Sequence, residues 1–206
     1  MRGVLLLVLA LAGARVLRAE PRQAHACVGE RSSITYTVVH RFKTVHGVSQ
    51  AAACTVWVDQ DTSRFRIRVE APVQSFHSGN GLRDSHAMRA LRADRFPTVV
   101  FASDFARPLD GRLGPYRVKG KLVFNGVARP LELQVTPELR ERIRVSGTFP
   151  FRLTDFEVKR PSLMGLPVED GARIDFDLDF GAAGGGPRVR KEPGKRAPAG
   201  PSATAR

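Results

Sequence analysis

Residues 173–180, Arg-Ile-Asp-Phe-Asp-Leu-Asp-Phe, set a charged side chain against an apolar one at every step. A strict period of two fits a β-strand with one buried and one wetted face, and fits no helix. The pattern recurs along the chain. Arg64 to Glu70 alternates charged and apolar residues, and Tyr116, Val118, Gly120, Leu122 and Phe124 alternate with Arg117, Lys119 and Lys121. Ile143, Val145, Gly147, Phe149, Phe151 and Leu153 share one parity, as do Ile34, Tyr36, Val38, His40 and Phe42, and Cys54, Val56 and Val58. About eight one-sided strands must close into an antiparallel up-and-down barrel or stack as a two-sheet sandwich, and closure is favoured because it leaves no exposed edge. Asn125-Gly126 is the strongest hairpin signal. Pro130 just after it lacks a ladder donor, which points to a bulge or an edge near the start of the next strand. An earlier turn is expected at Val45–Ser49.

One segment breaks the pattern. Between Ser75 and Phe101, Ala87, Met88 and Leu91 fall at helical spacing, Asp84 is placed to cap a first turn, and Pro97 returns the chain to extended structure. Val99, Phe101 and Phe105 then resume the strand parity. The reading is an all-β barrel of about eight strands with a short helical insert. As a lid, that insert would close one end with Met88 and Leu91 and turn Arg83, Asp84 and His86 toward the mouth.

Both termini differ in character from this body. Arg2 precedes an apolar run from Val4 to Ala14, too short to span a bilayer and of the length of a signal-peptide core. Residues 1–19 therefore read as a leader cleaved somewhere between 14 and 26, residues 30–180 as the barrel, and residues 181–206 as a basic Gly/Pro/Ala-rich tail expected to be disordered. The formal net charge of +13 looks like a nucleic-acid binder's. However, Arg2, Arg15 and Arg18 lie in the leader, and the tail holds six Lys or Arg against Glu192, so most of the excess lies outside the folded part and no specific nucleic acid is expected. Export would allow Cys27 and Cys54 to pair. A turn at Val45–Ser49 would instead set Cys54 opposite a residue near 38, leaving it a small buried apolar group. Lipidation at Cys27 is disfavoured, since Arg15, Arg18, Glu20 and Arg22 separate it from the apolar run.

Catalytic chemistry finds little support. His25, His40, His46, His77 and His86 include no pair at a helical spacing of three or four, and the chain has no Cys-x-x-Cys, no Gly-x-Ser-x-Gly elbow and no phosphate loop. A binding role fits better. Tyr36, Val38, Phe65, Phe101, Phe124, Phe151 and Phe176 are expected to line the interior, whether they fill it or wall a cavity. His40, Arg83, Asp84 and His86 are the candidate polar contacts at the mouth. The plainer reading of His40 is a hydrogen-bonded core residue, and of Arg83 and Asp84 a helix cap and its neighbour.

Several segments together resemble a known family: Ser33-Ile34-Thr35-Tyr36-Thr37-Val38-Val39-His40, then Arg83-Asp84-Ser85-His86 with Phe96-Pro97-Thr98-Val99-Val100-Phe101, then Gly120-Lys121-Leu122-Val123-Phe124-Asn125-Gly126-Val127-Ala128-Arg129-Pro130, and the stretch Phe149 to Phe156. Their order and spacing over residues 30–180 are similar to the YceI-like family. The resemblance implies a lipocalin-like antiparallel barrel, exported to the periplasm or secreted, whose long cavity holds a polyisoprenoid, isoprenoid quinone or similar amphiphile. It implies a non-enzymatic binding protein with a long-chain isoprenoid or fatty acyl lipid as partner and with no cofactor or metal. Transient contact with a membrane surface and self-association stay open, as does a second role, an envelope-stress or interaction module with a filled barrel whose basic tail meets acidic envelope components. Two motifs depart from the family pattern. Arg31-Ser32-Ser33 stands where a His-Ser pair is usual, and Arg152-Leu153-Thr154-Asp155-Phe156-Glu157 where the family writes Arg-Ser-Asp-Phe-Gly.

Overall fold

The computed structural model describes residues 23–59, 64–109, 114–163 and 165–182; the proposed leader and nearly all of the tail lie outside the described residues. The strands are β1 (Gln23–Ala26), β2 (Ser33–His40), β3 (Lys43–Ser49), β4 (Ala53–Asp59), β5 (Arg64–Pro72), β6 (Thr98–Ser103), β7 (Arg107–Pro108), β8 (Tyr116–Phe124), β9 (Val127–Leu139), β10 (Arg142–Arg152), β11 (Ser162–Leu163), β12 (Leu166–Pro167) and β13 (Gly171–Ala182), with one helix, α1 (Gly81–Ala90). Eleven strands form a single antiparallel sheet in the order β1-β4-β5-β6-β8-β9-β10-β13-β2-β3, with β7 beside β8. The sheet curls on itself, with β1 and β3 as its two end strands. Val48 of β3 and His77, which follows β5, exchange backbone hydrogen bonds of 3.0 Å each, and Val28 after β1 donates to the Asp179 carbonyl at 2.7 Å.

The alternation read from the sequence is the alternation of the barrel wall. Val118, Leu122, Val145, Leu178 and Phe180 are buried, while Arg117, Lys119, Arg144 and Arg173 face water. Outside, the charges pair across strands: Arg144 with Asp177 and Arg117 with Glu132. Such exposed pairs contribute little stability and chiefly keep the outer face soluble. Phe124 pairs with Val127 across Asn125-Gly126, and both turn residues have positive φ, as a two-residue hairpin of this type requires. Pro130 lies where β9 is paired to β8 alone, so its missing donor faces no neighbour. Gly147 opposes Phe176, whose ring would lie 2.6 Å from any added Cβ. The missing side chain lets that ring lie across β10.

Several expectations are corrected. Val45–Ser49 is not a turn but most of β3; the chain reverses at Arg41-Phe42, with His40 opposite Lys43. Phe42 therefore leaves the inward face and is exposed. The shift also changes the partners of β4, which pairs with β1 and β5, so that Ala26 lies opposite Thr55. Cys27 and Cys54 thus come within 5.2 Å between Cα atoms and form a disulfide. The cysteine sulfur that lipidation would need is taken. Phe105 lies past the end of β6, with the guanidinium groups of Arg64 and Arg66 5.4 and 5.5 Å from its ring centre, and Ala106 is the buried neighbour. Asn80 rather than Asp84 caps α1, its side chain accepting from the Arg83 N–H at 2.9 Å. The last strand, β13, runs to Ala182.

Candidate ligand-binding site

The barrel encloses a cavity of about 530 Å³. That lies within the range of small-molecule pockets, about 300–1,000 Å³. A filled core, the basis of the alternative reading, is not what these strands build. At its deep end Ile34, Ile67, Val118, Val135, Val145 and Leu178 form the floor, none more than 8 % exposed. Phe65 packs beneath on Tyr116, their ring centres 4.9 Å apart. Higher up, Phe101 and Phe176 line the wall, and Phe124 and Phe151 meet edge to face at 5.9 Å with Phe156 behind both. Aromatic pairs in these geometries hold their rings in place beyond what burial alone gives.

The other end is the mouth, bounded by α1, by the β2–β3 turn and by the segment 158–168. Met88 and Leu91 line the cavity from α1, with Ala87 beside them. The helix is tied down at its far end. Arg92 donates from Nε to the side-chain oxygen of Asn125 at 3.1 Å, and Asn125 in turn donates to the Phe156 carbonyl at 2.8 Å. At its near end the polar groups bond mainly to one another. Arg83 donates from Nε to Ser78 Oγ at 2.8 Å and from Nη2 to the Ser78 carbonyl at 2.6 Å, while Asp84 accepts the Ser78 N–H and hydroxyl. The Tyr36 hydroxyl joins this group through Ser78; burial, with Asp84 nearby, pushes its pKa up. Its ring lies over Gly47, where an added Cβ would come within 2.2 Å.

All seven residues expected inside, Tyr36, Val38, Phe65, Phe101, Phe124, Phe151 and Phe176, lie on the wall of this one cavity, and His40, Arg83, Asp84 and His86 lie around its mouth. Their surroundings separate the last four. His40 is buried, its Nε2 bonded to the Leu166 carbonyl at 3.1 Å and its Nδ1 accepting from the Phe42 N–H at 3.3 Å. Arg83 and Asp84 are engaged with Ser78. His86 is exposed with no hydrogen-bond partner among the described residues. No group of three or more His, Cys, Asp or Glu among those residues is arranged to hold a metal ion.

The sequence matches the YceI-like domain over residues 26–180. The chain belongs to the YceI-like family. Among solved structures it is similar to Burkholderia cenocepacia BcnA, with 20 % identity and a TM-score of 0.67 over 74 % of this chain and 98 % of the other. It is similar too to a polyisoprenoid binding domain from Saccharophagus degradans implicated in plant cell wall breakdown (12 % identity, TM-score 0.62, 79 % and 99 % covered). A third is the Campylobacter jejuni YCEI protein (16 % identity, TM-score 0.56, 68 % and 87 % covered). At these identities the likeness is one of fold. No curated protein matches the sequence.

Both departures from the YceI-like pattern have a place in the barrel. Ser32, 1 % exposed, accepts from the Asp179 N–H at 3.1 Å and so ties the start of β2 to β13. Glu157 has φ 54°, the left-handed conformation that a glycine takes without strain, at the position where the family pattern has Gly. Asp170 holds the adjoining turn, accepting from the Thr154 hydroxyl and N–H and from Arg152, and these bonds pull its carboxyl down to about 2. The cavity residues the sequence reading missed are those without periodicity, such as Val158, Pro161, Ser162 and Val168, and those of the misread strand, Lys43 and Val45.

Proposed function

We propose that this YceI-like chain is a non-enzymatic carrier that sequesters a long-chain apolar lipid, a polyisoprenoid, isoprenoid quinone or fatty acyl compound, inside the barrel. The observation that carries the reading is the cavity itself: about 530 Å³ walled by aliphatic and aromatic side chains, with polar groups gathered at one end. Such a container suits a ligand with a long apolar body and a small head. Each methylene moved from water into it contributes about 0.8 kcal/mol, so a chain of ten or so outweighs the cost of ordering it. Tyr36, Val38, Phe65, Phe101, Phe124, Phe151 and Phe176 would contact the chain, and His86, with Arg83, Asp84 and His40 behind it, would meet the head group. The polyisoprenoid binding named for the Saccharophagus degradans domain supports the same class of ligand. Work outside the cytoplasm, in the periplasm or as a secreted protein, is favoured by the leader-like residues 1–19 and by the Cys27–Cys54 disulfide. The test is solvent extraction of protein purified from an exporting host, followed by mass spectrometry. A stoichiometric chain lipid is expected; protein that is empty and gains no thermal stability from added polyprenols, quinones or fatty acids refutes the reading.

A further inference from the structure

Three of the six large apolar side chains exposed among the described residues gather at the same end of the barrel. Phe42 is 61 % exposed at the tip of the β2–β3 turn, Leu82 is 70 % exposed in the first turn of α1, and Leu166 is 38 % exposed on the β11–β12 hairpin. All three adjoin the mouth of the cavity. Leu82 lines it, as does Lys43 beside Phe42. Phe42 packs on the ring of His40, centres 5.4 Å apart, and His40 is bonded to the Leu166 carbonyl. Apolar side chains scattered singly over a surface need no explanation, but a set ringing the opening of an apolar cavity does.

The same rim is basic. Arg41 and Lys43 flank Phe42, Arg89 is exposed on α1, and Lys159 and Arg160 precede the cavity residue Pro161. Arg41, Lys43, Arg89 and Lys159 form no ion pair among the described residues. Across segments 41–43, 81–90 and 157–170 six Lys or Arg face four Asp or Glu; Asp84 and Asp170 are held in hydrogen bonds inside the fold, as are Arg83 and Arg160. An aromatic or leucine tip between cations suits the headgroup region of an anionic bilayer, where the ring enters the acyl boundary and each basic residue strengthens binding about fivefold.

We propose that the rim formed by Phe42, Leu82 and Leu166 with Arg41 and Lys43 seats the mouth of the barrel on an anionic lipid bilayer, so that the ligand passes between membrane and cavity without crossing water. The proposal rests on the cavity being a lipid site, but membrane attachment is read separately from ligand binding. Full-length protein and its Phe42→Ser/Leu82→Ser variant are compared in flotation with phosphatidylcholine vesicles with and without phosphatidylglycerol, at low and high salt. Transfer of a pyrene-labelled fatty acid from the same vesicles is followed in parallel. Both substituted side chains are largely exposed, so the variant keeps the parent's melting temperature; because Leu82 also lines the mouth, vesicle binding and transfer are compared after scaling to each protein's own affinity for anilinonaphthalene sulfonate in solution. The expected result is parent binding that favours phosphatidylglycerol and survives in part at high salt, weakened at least about tenfold in the variant, with transfer slowed in proportion. Equal binding by parent and variant, as attachment through the basic C-terminal tail would give, overturns the proposal. So does a parent that binds no vesicle, which would leave a protein partner as the rim's occupant. Failure of the cavity reading shows differently, as a parent that floats with vesicles yet takes up neither probe.

Discussion

Replacing both cysteines, Cys27→Ser/Cys54→Ser, removes a bond that closes a loop of 27 residues and fastens β1 to β4 at the deep end of the barrel. The chain entropy that such a closure removes from the unfolded state corresponds to about 3.5 kcal/mol at 25 °C. In a domain of this size each kcal/mol moves the melting temperature by about 2–4 °C, so a loss of about 7–14 °C is expected. The folded structure gives little of this back. Cys27 still donates its backbone N–H to the Cys54 carbonyl at 2.9 Å, so the strand pairing survives and the cost falls on the unfolded chain. The assay is urea unfolding of oxidised parent, parent reduced with dithiothreitol, and double variant. Reduced parent and variant should coincide, both well below the oxidised parent. A difference under about 1 kcal/mol, or two titratable thiols in protein recovered from an oxidising compartment, would refute the register that joins Cys27 to Cys54.

Four further outcomes are expected. Val118→Phe, on the cavity floor where Val118 is fully buried, should displace two or three methylenes of ligand and weaken binding by about 1.6–2.4 kcal/mol, some 15- to 60-fold by isothermal titration, with the fold retained. Gly47→Ala forces a Cβ to within 2.2 Å of the Tyr36 ring and should cost about 1–3 kcal/mol in urea unfolding. Glu157→Gly should be neutral or stabilising by up to about 1 kcal/mol, since it relieves a left-handed backbone that glycine adopts freely. The Asp170 carboxyl sits at about 2 when folded and near 3.8 when unfolded, so its contribution is complete above pH 4 and is lost as pH falls toward 2; Asp170→Asn should flatten that part of the stability profile.

How much of this was legible depended on whether the signal was local. Arg173 to Phe180 announces β13 because every inward residue is apolar and every outward one charged, and Asn125-Gly126 announces its hairpin because both positions need positive φ. The Arg41-Phe42 turn carries no Gly, Asn or Pro, and neither residue has positive φ, so nothing marks it. Gly47, which looks like a turn residue, is glycine because the Tyr36 ring occupies its Cβ position across the strand pair. A turn placed at Val45–Ser49 shifts the register of β3, and with it in place the sequence leaves the pairing of Cys27 with Cys54 open. The apolar lining of the cavity followed from parity alone. The polar arrangement at the mouth did not, because Ser78, Arg83 and Tyr36 meet only once β2, α1 and the segment between β5 and α1 are assembled.

The central claim is that the cavity takes up an apolar chain end-on, and affinity across a homologous series tests it most directly. Straight-chain fatty acids of increasing length, measured by displacement of a fluorescent probe, should bind about fourfold tighter for each added methylene, the equivalent of about 0.8 kcal/mol. The gain should stop once a cavity of about 530 Å³ is full. Val118→Phe should move that plateau to shorter chains. Affinity that does not depend on chain length, or a plateau that the variant leaves in place, would contradict the claim.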